Sequence, residues 1–155
     1  MRRLALILIL FLASFFVCNT TAIPRDKEVK FKLVRTIAET KLPIVTLDIN
    51  GKDFTFLVAS GVSLCLIDSS ACERLNLKIV DSKIPGQIVT FGGMSIKRKE
   101  VKLLNYPFYV QDMSNMVKGL EYHTGVRIDG LIGCNMLADE GAIINFQREL
   151  IYNDN

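Results

Sequence analysis

The chain has 155 residues, half of them hydrophobic, with 19 basic and 16 acidic side chains and a formal net charge of +3. Setting aside residues 1–22 leaves 133, enough for one domain with one core; it also removes Arg2 and Arg3, so the basic count falls from 19 to 17 and the net charge to +1. That balance argues against nucleic acid as a partner, and the single histidine and the cysteine spacing suit no metal site.

The segment set aside has the three parts of a secretory signal peptide. Arg2-Arg3 is a basic start, Leu4 to Val17 is a nearly unbroken apolar run, and Thr20-Thr21-Ala22 supplies small residues before Ile23. The run is short for a retained spanning helix. Bulky Phe15-Phe16-Val17 argues against lipidation at Cys18. The expected organisation is a signal peptide over 1–22, a leader and first strand over 23–42, one folded domain over 43–152 and a tail over 153–155. Export places the product in the periplasm or outside the cell, with no membrane contact after cleavage.

Weak alternation from Val29 to Val34 suits a first strand, and Pro43 to Ile49 is a clearer one. Asn50-Gly51 then joins it to Phe54–Val58 as an antiparallel hairpin. A small-residue turn, Ala59-Ser60-Gly61, precedes a short buried strand from Leu64 to Ile67. Asp68, Ser69 and Ser70 offer capping oxygens, Ser70 with Glu73 fits a capping box, and Ala71, Leu75 and Cys72 give a short helix its inner face. Gln87 to Ile96 reads as strand, glycine turn and strand, with Gly92-Gly93 at the tip. Val101–Leu104 and Pro107–Val110 add strand. Gln111 to Arg127 mixes methionines, polar groups, Gly119 and Gly125, and reads as a variable loop in which Met113 and Met116 pack locally. Ile128 to Gly133 is extended, a short helix follows, and Ala142–Phe146 and Glu149–Tyr152 return as strands. The pattern is mainly β, a small barrel or sandwich with no helix of three full turns.

Two separated runs resemble the retropepsin-like branch of the aspartic proteases. The first is Phe56-Leu57-Val58-Ala59-Ser60-Gly61-Val62-Ser63-Leu64, where the family has a strand, an aspartate, a hydroxyl residue and a glycine. The second is Asp129-Gly130-Leu131-Ile132-Gly133-Cys134-Asn135-Met136-Leu137, followed by Gly141 to Phe146. The resemblance covers roughly Pro43 to Tyr152. It implies a small closed β-barrel of the retropepsin-like acid-protease type with short helices. It also implies that Gln87–Ile96 is a flap whose Gly92 and Gly93 approach a peptide, and that two chains meet as a homodimer, tied through Ser60 and the terminal strands. The family's chemistry uses two aspartates that share a proton around one water. Here Ala59 stands where the carboxylate belongs, so the resemblance implies a degenerate catalytic motif, Ala59-Ser60-Gly61, on a retained frame.

The expected function is therefore an exported pseudoprotease that binds an extended peptide or protein without cutting it and without a cofactor. The alternatives are an active peptidase using Asp129 or an intact-motif partner chain, and a structural envelope protein. Asp68 reads as a helix cap, Asp48 as solvent-facing and Asp129 as a turn brace or weakly as a relocated acid. Ser63 and Cys65 form no nucleophile elbow, and His123 reads as a solvent-facing histidine. Cys65, Cys72 and Cys134 are expected as buried free thiols, with a Cys65–Cys72 bridge left open.

Overall fold

The computed structural model describes residues 28–82, 88–89, 95–96 and 99–153. Its strands are β1 (Val29–Lys30), β2 (Lys32–Arg35), β3 (Lys41–Ile49), β4 (Lys52–Ala59), β5 (Leu66–Asp68), β6 (Val80–Asp81), β7 (Ile88–Val89), β8 (Ser95–Ile96), β9 (Lys99–Leu103), β10 (Tyr106–Gln111), β11 (Gly130–Gly133), β12 (Ala142–Asn145) and β13 (Leu150–Asn153). The three helices among the described residues are α1 (Ser69–Arg74), α2 (Ser114–Thr124) and α3 (Cys134–Asp139).

The Asn50-Gly51 signal becomes a tight β3–β4 hairpin. Both residues have positive φ, 56° and 74°, the Gly51 N–H donates to Asp48 Oδ1 at 2.9 Å, and Ile49 pairs with Lys52. Positive φ at both central residues matches the twist of the flanking strands. The predicted first strand divides at Phe31, whose buried ring anchors the crossing while its N–H donates to the Glu149 carbonyl at 3.0 Å. Before it, β1 pairs with β13; after it, β2 pairs with β3.

Eight strands form one sheet in the order β2-β3-β4-β11-β5-β10-β9-β6, and β1-β13-β12 form a second. The expected closed barrel is thus overturned. Closure requires the two edge strands to pair, but among the described residues β2 bonds only to β3 and β6 only to β9, while the terminal strands form a sheet of their own. The large sheet is mixed: β4 with β11 and β5 with β10 run parallel. With the helices, the fold is mixed α/β rather than a mainly-β barrel. The region read as a variable loop is also corrected, since it contains the 11-residue helix α2. Met113, Met116, Val117 and Leu120 fall on one side at helical spacing, and Gly125 ends the helix at φ 71°.

Strand alternation divides the core in two. Phe54, Phe56 and Val58 of β4 point into a cluster with Cys65, Ile67, Cys72, Phe108, Ile132 and Met136. Phe56 and Phe108 lie 5.2 Å apart between ring centres, and burying such a ring stabilises by roughly 1.5–3 kcal/mol. The alternate residues Leu57 and Ala59 face a second cluster, of Ile44, Leu66, Tyr109, Met113, Val117, Ile128 and Leu131, which α2 covers.

Candidate functional site

The site is built where β11 inserts between β4 and β5. β11 runs parallel to β4 and antiparallel to β5, and Gly133 pairs with Ala59, the last residue of β4. The chain turns over Ala59-Ser60-Gly61, closed by the Val62 N–H donating to the Ala59 carbonyl at 3.0 Å. This loop is then tied to the start of α3. Cys134 N–H donates to the Val62 carbonyl at 2.6 Å, and Asn135 N–H to the Ser63 carbonyl at 3.0 Å.

Close approach explains two glycines of the second motif. A Cβ on Gly133 would lie 2.8 Å from the Val62 carbonyl oxygen and nearer still to that of Leu64; one on Gly130 would strike the Leu66 carbonyl. These obstacles are backbone atoms, which cannot rotate aside. Beneath the turn, the Gly133 N–H donates to Cys65 Sγ at 3.3 Å, and Cys65 Sγ lies 3.6 Å from Met136 Sδ. Burial pushes the Cys65 thiol up to about 11, against a smaller lowering by the Gly133 N–H, so it is an inert packing group.

Ser60, Gly61 and Ser63 are exposed at the turn, whereas Ala59 is half-buried and its methyl packs against the second apolar cluster. Asp129 lies elsewhere. It follows the register back to Thr55, four residues before Ala59, or about 13 Å along the strand. There Asp129 Oδ2 accepts the Thr55 N–H at 2.9 Å and Oδ1 pairs with the Arg74 guanidinium. Asp68, also buried, caps α1: Oδ2 accepts from the Ser70 N–H at 3.2 Å and from the Ser70 hydroxyl, and Oδ1 accepts the Met113 N–H at 2.8 Å. The helix therefore starts before the Ser70–Glu73 capping box read from the sequence. All four carboxylate oxygens of these two acids have donors.

The other sequence-marked residues are not gathered here. His123 is exposed on α2, edge-on to Tyr122, and Cys65 is buried in the first cluster. Cys65, Cys72 and Cys134 are free, the first two buried and Cys134 exposed, which corrects the expectation of burial for all three. Gly92 and Gly93, like residues 1–22, lie outside the described residues, while the strands flanking the glycines pair antiparallel as β7 and β8. Arg74, which sequence reasoning did not single out, is the ionic partner of Asp129. Among the described residues no helix is long and apolar enough to cross a membrane, and no His/Cys/Asp/Glu group is arranged to hold a metal ion.

A family model described as aspartyl protease matches residues 45–136, more than half of the chain and the whole span from β3 through the Ala59 turn to the start of α3. The chain belongs to the aspartyl protease family. The resemblance read from the two motifs thus holds at the level of the aspartyl protease family. Among solved structures, the retroviral protease-like domain of Ddi1 from Leishmania major is similar, with 20% identity, a TM-score of 0.40, and coverage of 72% of this chain and 85% of that one. No curated protein matches the chain by sequence.

Proposed function

We propose that this aspartyl protease family member is an exported pseudoprotease that binds an extended peptide or protein segment, as a homodimer, without hydrolysing it. The observation that carries the reading is Ala59. It ends β4 opposite Gly133, its side chain is a methyl group packed on an apolar cluster, and the motif resemblance puts the family's aspartate at this position. A methyl can neither accept a proton from water nor share one with a second chain. Asp129 is assigned a bracing role, because both its oxygens are engaged and it lies at the Thr55 level of the strand.

The exposed Ser60 hydroxyl and the hydrogen-bonded turn supply contacts for a ligand backbone. Dimerisation would join two such turns, with the terminal sheet offering the outer edges of β1 and β12, which have no strand partner among the described residues. The test is a random-sequence peptide library passed over immobilised protein, with the enriched peptides titrated by calorimetry. Saturable binding that weakens on Ser60→Trp supports the reading; a library that shows no enrichment rejects it.

A further inference from the structure

Helix α2 is tied to the rest of the domain by a hydrogen bond at each end, beside the local bonds from the Ser114 N–H to Asp112 Oδ1 and from the Thr124 hydroxyl to the Leu120 carbonyl. Gly119 sits in the middle of the helix, and a Cβ there would meet open space. The glycine therefore costs helix stability without making room for a neighbour. The N-cap residue Met113 makes no side-chain cap. Its N–H donates instead to Asp68 Oδ1 of β5, and at the other end the Ile37 N–H donates to the His123 carbonyl at 3.1 Å. Val117 is the only residue within the helix that is buried, and Tyr122 is 77% exposed.

What lies beneath makes this attachment consequential. Met113, Met116, Val117 and Leu120 close the second apolar cluster, to which Leu57, Ala59, Val62 and Leu64 also belong. No strand pairing of the large sheet runs through α2. Lifting the helix would thus open the apolar cluster that Ala59 borders while every ladder hydrogen bond stays in place. A region with few buried contacts opens locally at a lower free energy than the core.

We propose that α2 is a movable roof over the Ala59 cluster, opening as a unit while the eight-stranded sheet stays folded, and so controlling access to the apolar side of the ligand site. Asp68 is the positioning residue of this device. One carboxylate oxygen caps α1 and the other holds the start of α2. The proposal rests on the peptide-binding reading for its use, but its test needs no ligand.

Hydrogen exchange followed by mass spectrometry on the full chain reads the opening. Amides of residues 117–124 should exchange at least about tenfold faster than those of β4 and β11. Ile151→Val, in the first cluster and away from α2, lowers global stability, so core amides should exchange about fivefold faster while those of 117–124 keep their rate. Helix amides as protected as those of β4, or accelerating with them in Ile151→Val, would overturn the roof. A roof that opens on a chain that binds no peptide would leave this inference standing and remove the binding reading.

Discussion

Replacing Asp129 by Asn isolates the brace at the far end of β11. The residue is 4% exposed, with Oδ2 on the Thr55 N–H at 2.9 Å and Oδ1 on Arg74. Asparagine keeps the shape and one acceptor, but its NH2 must then face either the Thr55 N–H or the guanidinium, donor against donor. Hydrogen bonds to charged groups contribute about 1.5–3 kcal/mol, and breaking a fully buried ion pair costs about 3–5 kcal/mol. The Arg74 side chain is 46% exposed and can return to water, which sets the loss in the lower range, about 2 kcal/mol. With a urea slope near 1.5 kcal/mol/M, the unfolding midpoint should fall by about 1.3 M at unchanged slope. A shift under about 0.3 M would refute the bracing role. The same variant separates the two readings of this acid: a brace changes stability, whereas a relocated catalytic acid would leave stability alone and change cleavage.

Gly133→Ala forces a Cβ against the Leu64 and Val62 carbonyls, and the melting temperature should drop by the equivalent of about 3 kcal/mol, the upper end of overpacking costs; an unchanged melt would contradict the close approach. Burial raises the Cys65 and Cys72 thiols from 9.0 to about 11, with the Asp68 charge adding to the shift at Cys72. The folded state therefore retains protons that the unfolded state has already lost between those values. This contribution to stability is full below pH 9 and is lost as pH rises toward 11, so a Cys65→Ala/Cys72→Ala chain should show a flatter stability profile over that window in urea titrations. In the native state, exposed Cys134 should be alkylated at pH 8 while the buried pair is spared; equal labelling of all three would refute the burial argument. Sedimentation at micromolar concentration should show two chains per particle, and a strict monomer rejects the homodimer.

Local chemistry was the most legible part of this chain. The Asn50-Gly51 hairpin, the strands around it and the Asp68 cap follow from residue types that act over a few positions. Closure was not legible, because alternation marks a segment as strand without naming its neighbours. Nothing in Leu131-Ile132 alone says that β11 lies between β4 and β5. Nor does Phe31 announce that the chain leaves one sheet for another. The helix α2 was obscured by Gly119 and a polar surface, although Met113, Met116, Val117 and Leu120 carried its period. At the site, the turn and the two close-packed glycines were visible as motifs. Asp129 read as a brace, but its partners were not legible, since Arg74 and the Thr55 N–H lie 55 and 74 positions away and meet it only in the fold.

The central claim is that the frame persists without its chemistry, and peptide hydrolysis measured side by side in the wild type and Ala59→Asp tests it most directly. The peptides would be those that the chain binds, incubated from acidic to neutral pH and followed by mass spectrometry. Two carboxylates brought together across a dimer would share a proton, so any cleavage by Ala59→Asp should appear under acidic conditions and be missing from Ala59→Asn. The wild type should return every bound peptide intact at each pH. Cleavage by the wild type that tracks with the protein through purification would contradict it.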